Sequence, residues 1–139
     1  MAERPAHPQS PDAQAQALSA EWFRASLETD DAWFEDNLAE DFRYLMGDGS
    51  IEAKGRVIEM NRLIRNKVYE LSGVSGRRYG AVLVVQGTYH ARGTIPEGLA
   101  PPAQIERYAA GVDVRFTSMW VGEGAPPRCV LMQATSILA

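Results

Sequence analysis

The stretch that decides the fold is residues 111–121, which read GVDVRFTSMWV. Within it the apolar residues Val112, Val114, Phe116 and Trp120 alternate with polar ones, as in a β-strand that buries one face. The polar residues of the run then point to the opposite face of the sheet. We therefore expect this strand to form one wall of an apolar interior and to carry a half-polar outer surface.

Three further segments have the composition of strands, namely residues 68–74, 81–91 and 128–138. In residues 81–85 every side chain is apolar, which predicts a strand covered on both faces. Glycine and proline in residues 122–127 predict a hairpin loop between the last two strands. Because short connections join most of these segments, we expect successive strands to pair antiparallel.

Helical periodicity dominates the first half of the chain. Leu18, Trp22 and Ala25 lie on one face of a helix predicted over residues 13–28. A second, shorter helix is expected to begin after Asp30, whose carboxylate can cap the free N–H groups. A third helix is predicted from a stripe at three- and four-residue spacings: Val57, Met60, Leu63, Ile64 and Lys67.

Helices first and a meandering sheet afterwards predict an α+β fold, with about three N-terminal helices on a mixed, mainly antiparallel sheet. A short strand over residues 42–46 separates the second helix from the third. With 139 residues in all, the chain is expected to form one domain over 13–139, preceded by a proline-containing disordered tail over 1–12. Residues 93–110 would be an unusually long loop, so we expect a pocket cover or a partly helical insertion.

Composition excludes several classes of function. The formal net charge of -4 opposes attraction to phosphate backbones, so no nucleic acid partner is expected. Cys129 is the only cysteine, which favours a reducing, cytoplasmic location. No signal peptide and no apolar run of ~20 residues are present, so a soluble protein without membrane partners is expected. The two histidines lack metal-site spacing and no phosphate-binding glycine motif occurs, so neither a metal nor a cofactor is expected.

Three stretches carry a family resemblance: NLAEDF, which begins a run over residues 37–54, GAVLV at 80–84, and RFTSMW, which begins a run over 115–137. Their order and spacing resemble the nuclear transport factor two-like superfamily, which includes ketosteroid isomerase and the SnoaL-like polyketide cyclases. The resemblance covers about residues 17–138 and implies a cone-shaped barrel with a strongly curved sheet. It also implies that the inner face binds a small apolar or aromatic molecule, usually within a homodimer.

The sequence departs from this superfamily at two places that bear on activity. Where the isomerases place their catalytic aspartate, near the end of the first strand, this chain has Met46, with Asp48 two residues further on. Where many relatives carry a tryptophan and then an inward histidine in the last strand, this chain has Pro127 and Met132. Both changes make the expected pocket less polar.

Three residues are candidates for catalysis. His90 is a histidine whose ordinary pKa lies near neutrality, although it could equally be an idle residue at the end of a strand. Tyr44 could donate a hydrogen bond to a developing oxyanion, or be a plain core aromatic. Asp41 could carry a proton, or hold the turn between helix and strand.

The expected wall of the pocket combines the inner residues of the last strands with residues of the first and third helices. At such spacings these residues could also be plain core. The candidates are Trp22, Met60, Phe116, Ser118, Trp120 and Met132.

The residues Asp113 and Arg115 lie two apart on one strand and therefore share a face. They are similar to an aspartate and arginine pair used by epoxide hydrolases of the superfamily. The alternation of the strand nevertheless places them outward, where, with Thr117, they are expected to contribute to a two-fold interface between two copies of the chain.

Two functions therefore compete. The first is a protein that binds a small apolar molecule, or serves as an oligomerisation module, without turnover. The second is a cofactor-independent isomerase, cyclase or dehydratase that uses Tyr44 with His90 or Asp41. The first is slightly favoured, because the aspartate and histidine of the relatives are missing, and fold alone does not choose between them.

Overall fold

The computed structural model describes residues 9–122 and 126–137. This part of the chain contains four helices and six strands, and no helix in it is long and apolar enough to cross a membrane. The elements in chain order are α1 (Pro11–Glu28), α2 (Asp31–Asn37), β1 (Leu38–Leu45), β2 (Ile51–Ala53), α3 (Lys54–Leu63), β3 (Arg65–Tyr79), β4 (Val82–Thr94), α4 (Pro102–Ala110), β5 (Val112–Val121) and β6 (Arg128–Ser136).

The strands form one sheet in the order β2-β1-β6-β5-β4-β3. The pairs β3–β4, β4–β5, β5–β6 and β1–β2 are antiparallel, whereas β1 runs parallel to β6. The predicted α+β class and the mixed, mainly antiparallel sheet are therefore confirmed. The helices α1, α2 and α3 supply the predicted N-terminal helical layer.

The register of β5 confirms the alternation seen in its sequence. Val114, Phe116 and Trp120 are buried, while Asp113 and Arg115 are exposed on the outer face. In β4, by contrast, the predicted cover on both faces is wrong: Leu83 and Val85 are buried, but the valines that alternate with them are only half-buried. A strand of uninterrupted apolar residues is used here to make a moderately apolar outer surface.

A β-bulge corrects the predicted inner face of β6. The register between β5 and β6 shifts between Met119 and Trp120, so Trp120 pairs with Cys129. Strict alternation from the buried Met132 would place Val130 on the inner face, but Cys129 is fully buried there and Val130 is only half-buried. Burial raises the pKa of the Cys129 thiol to about 12, so this cysteine is an unreactive core residue.

Helix α1 begins at Pro11, two residues before the predicted start. The Ser10 hydroxyl accepts a hydrogen bond from the Ala13 N–H at 3.1 Å, and proline suits the first helical turn. The predicted tail is therefore too long by the helical residues Pro11 and Asp12. Of the rest of that prediction, residues 9 and 10 are exposed and lie outside any helix or strand, whereas residues 1–8 lie outside the described residues, as do residues 123–125 of the predicted hairpin loop.

Helix α3 ends earlier than its periodicity suggests. The backbone of Ile64 is already extended, with ψ 128°, and β3 begins at Arg65, which pairs with Thr94. Asn66 then adopts a left-handed φ of 53° at a register shift. Pairing with β4 thus overrides the helical spacing that linked Ile64 to Lys67, and Lys67 belongs to a strand.

Lys54 fastens the beginning of α3 to the preceding elements. Its Nζ donates hydrogen bonds to the carbonyl oxygens of Glu35 at 2.7 Å and Leu38 at 3.0 Å. The side chain is buried, so these carbonyls satisfy its polar end inside the protein. This contact fixes α3 against the junction between α2 and β1.

Gly76 of β3 makes room for the start of α1. A Cβ atom at this position would lie 2.8 Å from the Cβ of Ala15 and would also collide with the carbonyl of Pro11. The Gly76 N–H also donates to the Asp12 carboxylate at 2.9 Å. The first turn of α1 therefore lies directly on the backbone of β3.

We expect Gly76→Ala to lower the free energy of unfolding by about 1–3 kcal/mol, because the added methyl overpacks this contact. Urea denaturation followed by circular dichroism measures the change. Gly55→Ala in α3 is the matched control: a Cβ there meets nothing within 4 Å, and replacing a helical glycine should raise stability by about 0.5–1 kcal/mol. Equal stabilities of the two variants would contradict the proposed packing.

Candidate binding site at the mouth of the cone

Four tyrosines from four different elements meet on the inner side of the sheet. They are Tyr44 of β1, Tyr69 of β3, Tyr89 of β4 and Tyr108 of α4, and we call them the phenol cluster. The rings of Tyr69 and Tyr89 lie 6.0 Å apart in an edge-to-face arrangement. The Tyr108 hydroxyl donates to that of Tyr69 at 3.4 Å, and Tyr44 and Tyr89 lie close enough for each to affect the pKa of the other.

Strand register explains why two of these residues meet. Tyr69 pairs with Ala91, and Leu71 pairs with Tyr89, so the two tyrosines are diagonal neighbours on one face of the β3–β4 pair. Phe23 of α1 packs on both, with ring centroids 4.8 Å from Tyr69 and 4.9 Å from Tyr89. The cluster therefore rests on a continuous aromatic wall.

Helix α4 brings the fourth tyrosine to the cluster. The predicted helical insertion in residues 93–110 is confirmed, and Tyr108 extends from it over Gly93, near the end of β4. A Cβ atom at Gly93 would lie only 2.9 Å from the Tyr108 ring. Because Ala91 and Gly93 are both small and buried, the inner face of β4 leaves space that the Tyr108 ring fills.

Burial strengthens the preference of three of the phenols for the neutral form. It raises the pKa of Tyr44 to about 12, an effect that hydrogen bonding to Tyr89 partly opposes. Burial likewise raises the pKa values of Tyr89 and Tyr108. At neutral pH these hydroxyls can donate hydrogen bonds but cannot act as bases.

A chain of hydrogen bonds leads from the cluster to a lysine. The Ser26 hydroxyl lies 3.4 Å from the Tyr69 oxygen and donates to Asn61 Oδ1 at 2.7 Å. Lys67 Nζ donates to the same Oδ1 at 2.9 Å and to the Asn61 carbonyl at 2.8 Å. Partial burial lowers the pKa of Lys67. Asn61 Nδ2 is buried and has no partner among the described residues.

No pattern in the sequence indicates this series of hydrogen bonds, and the reason is physical. Ser26 and Asn61 are single polar residues on helices whose apolar stripes dominate the pattern, and Lys67 lies within spacing that indicated a helix. The phenols beyond Tyr44 were missed as well, since strand alternation alone does not show which aromatic residues of separate strands will meet. The β3–β4 register brings Tyr69 and Tyr89 together, and α4 brings Tyr108 to them.

His90 lies outside the cluster, contrary to the pairing predicted for it. It follows Tyr89 in β4 and therefore points to the opposite face of the sheet. Its Nδ1 lies 2.9 Å from the Asp113 carboxylate, beside Glu70 of the neighbouring strand. These residues, together with Tyr89 of the phenol cluster, are among those that line a shallow hollow of about 290 Å³.

Asp41 is also outside. It is exposed in β1 immediately before the fully buried Phe42, at a register shift in the pairing of β1 with β6. Of the three predicted catalytic residues, the structure therefore brings only Tyr44 into the interior. Asp41 and His90 are placed where neither can exchange a proton with Tyr44 directly.

The predicted pocket wall lies within closely packed aromatic residues. Trp22 packs edge-on against Phe34 at 5.3 Å, and the Trp120 Nε1 donates to the Ser118 hydroxyl at 3.0 Å. Met60 of α3 is half-buried. None of the predicted wall residues lines the hollow beside His90 or a second one beside Gly93 and Ala109, and five of them are core residues: Trp22, Phe116, Ser118, Trp120 and Met132.

No protein-family model and no curated protein sequence matches the chain. Solved structures do. An NTF2-like protein from Cytophaga hutchinsonii is 14% identical, with a TM-score of 0.76, 93% of this chain and 100% of that chain covered. An NTF2-like protein of unknown function in nutrient uptake from Rhodospirillum rubrum is 25% identical, with a TM-score of 0.67, 88% of this chain and 98% of that chain covered.

A third similar structure is the CaMKII hub of S. rosetta, which is 12% identical, with a TM-score of 0.71, 94% of this chain and 100% of that chain covered. The chain thus has a cone-shaped α+β fold of a widely used type. That fold is the one of the NTF2-like superfamily, which confirms the resemblance inferred from the sequence.

We expect stability to fall in alkaline solution. The folded protein holds the Tyr44 proton to a pKa of about 12, whereas the unfolded chain releases it near 10.0. Stability from the neutral phenol is therefore complete below pH 10 and is lost as the pH rises towards 12. Urea denaturation across this range, with phenolate absorbance recorded in parallel, measures the loss. Tyr44→Phe should flatten the dependence, and an unchanged slope would contradict burial of this hydroxyl.

Proposed function

We propose that this domain binds a small, mainly apolar or aromatic molecule at the phenol cluster, without chemical turnover. The observation that carries the proposal is the convergence of four phenols on one aromatic wall, apart from the imidazole and carboxylate predicted to work with Tyr44. A flat ring can pack on Phe23 and Tyr89 while an oxygen atom of the ligand bonds to a tyrosine hydroxyl.

The absence of a suitable base near the phenols favours binding over catalysis. General acid–base catalysis needs a group whose pKa lies near the working pH. The pKa of Tyr44 is raised to about 12, and no carboxylate or imidazole bonds to the cluster in the part of the chain that is described. Tyr44 as a hydrogen-bond donor is the observation left in favour of a cofactor-independent isomerase, cyclase or dehydratase.

We also propose that the domain forms a homodimer through the outer face of β5 and its neighbours. Asp113 and Arg115 are exposed there, and a two-fold axis between them can place the aspartate of one copy opposite the arginine of the other. The register sets Met119 between Val84 and Leu131, which gives this face a half-buried apolar row. The similarity to a protein named the CaMKII hub supports a role in assembly.

A thermal-shift panel tests ligand binding. We expect a hydroxysteroid, a naphthol or a terpenoid epoxide to raise the melting temperature, because a ligand of the folded form stabilises it. Tyr44→Phe should weaken binding about threefold to tenfold, the equivalent of one hydrogen bond. His90→Ala is the control and should bind as the wild type does. If no member of the panel raises the melting temperature, small-molecule binding is refuted. If the His90→Ala variant loses binding, His90 is part of the binding site.

Sedimentation equilibrium tests the dimer. The wild type should have the mass of two chains at micromolar concentration, and Met119→Glu should be monomeric, because it buries a charge in the apolar row. Asp41→Lys, a larger change of charge at an exposed position in β1, should leave the dimer intact. A wild type with the mass of one chain overturns the proposal.

A further inference from the structure

We infer that the ligand of the phenol cluster is a flat phenol, which takes the place of the Tyr108 ring over Gly93 and displaces α4. This inference rests on the proposed function and specifies where the ligand lies and what chemistry it carries. It makes Tyr108 an internal occupant of the binding site.

The cradle beneath the Tyr108 ring has the shape that such a ligand needs. A Cβ atom at Gly93 would lie 2.9 Å from the ring, 3.1 Å from the carbonyl oxygen of Arg65 and 3.4 Å from Cγ2 of Ile64. Any side chain at Gly93 would therefore fill the space that the ring now uses. Bare backbone thus forms one wall of the cradle, and Tyr69 lies at its inner end.

The attachment of α4 to the rest of the domain is slight. None of its residues is buried, and only Ile105 and Tyr108 are even half-buried. The first turn has no side-chain cap, and Gly98 and Gly111 on either side have φ values of 88° and 114°. Helices with so few buried apolar contacts open at small cost in free energy.

The link between Tyr108 and the cluster is also weak. The two hydroxyl oxygens of Tyr108 and Tyr69 are 3.4 Å apart, which is long for an O–H···O hydrogen bond. A free phenol in the same cradle is not constrained by the path of a helix. It can therefore approach Tyr69 more closely than Tyr108 does.

The direction of hydrogen bonding identifies the ligand class. Tyr69 accepts from Tyr108, and its oxygen lies 3.4 Å from the Ser26 hydroxyl, whose proton is donated to Asn61 Oδ1. A phenol that replaces Tyr108 can repeat this donation to Tyr69, whereas a ketone or a carboxylate has no proton to donate and needs the Tyr69 proton to turn towards it. The rings of Tyr89 and Phe23, which pack on Tyr69, favour a flat aromatic body.

Competition between Tyr108 and the ligand has a measurable consequence. A protein whose binding-competent state is only partly populated binds more weakly by that fraction. Removal of the Tyr108 ring should therefore strengthen binding of a phenol, whereas removal of an ordinary pocket residue would weaken it. The direction of the change in affinity therefore shows whether the Tyr108 ring occupies the binding site or forms part of its wall.

Isothermal titration with p-cresol, which is the tyrosine side chain as a free molecule, provides the test. We expect Tyr108→Ala to bind p-cresol at least tenfold more tightly than the wild type. Toluene, which lacks the hydroxyl, should bind Tyr108→Ala at least fivefold more weakly than p-cresol. Tyr79→Ala removes a tyrosine that is 61% exposed and should bind p-cresol as the wild type does.

Hydrogen exchange on the wild type is a second measurement, which does not depend on the folding of any variant. Saturating p-cresol should speed exchange of the amides of residues 102–110 and slow that of β4 near Gly93. Equal p-cresol affinity in wild type and Tyr108→Ala, or slower exchange in α4, would overturn the inference. Equal affinity for toluene and p-cresol would overturn the role assigned to the hydroxyl.

The outcomes also separate this inference from the proposed function. If members of the thermal-shift panel bind the wild type and lose affinity in Tyr44→Phe, while α4 exchange is unchanged, the proposed function stands and the displacement of Tyr108 is wrong. If neither the panel nor p-cresol binds the wild type or Tyr108→Ala, the proposed function is wrong and the inference falls with it.

Discussion

The burial of aromatic rings against the inner face of the sheet is the interaction on which the rest of the structure depends. Trp22 and Phe23 are consecutive in α1, yet they serve two different groups of rings: Trp22 packs on Phe34 and Phe42, and Phe23 packs on Tyr69 and Tyr89. Each large ring buries on the order of 150–250 Å². One helix thus packs on both groups of rings, and its orientation follows from both contacts.

The candidate site is the part of this aromatic interior where polar tips replace plain rings. Phe116 packs on Tyr89, so the hydrocarbon wall continues into the phenols without a break. Towards the surface, Ser26 and Asn61 extend the hydroxyls into a chain of hydrogen bonds that ends at Lys67. The site therefore changes from apolar rings to polar groups along its length. In the part of the chain that the structure describes, no carboxylate or imidazole bonds to the phenols.

Local patterns predicted the elements whose burial depends on their own sequence. The inward residues of β5 and the capping carboxylate of Asp30 at α2 follow from alternation and from helix-end chemistry, and both are confirmed. The patterns failed where a distant partner decides. The pairing of Arg65 with Thr94 ends α3 early. The β-bulge after Met119 turns Cys129, in place of Val130, to the buried face of β6.

The same limit applies to the candidate site. Tyr44 could be placed inside from the pattern of one strand, and Tyr89 fixes His90 on the outer face once the register is known. The approach of Tyr108 depends on a helix that lies across a sheet, with a glycine beneath its ring. No periodicity in a single segment contains that information.

The parallel pairing of β1 with β6 has a consequence for how the protein folds during its synthesis. Tyr44, near the beginning of the chain, is hydrogen-bonded through its strand to the segment around Met132, near the end. During synthesis, the edge of β1 that faces β6 stays open until β6 has also left the ribosome. Contacts between such distant segments slow folding, and unpaired edges invite aggregation. A chain truncated before β6 would therefore expose the edge of β1 that β6 normally covers.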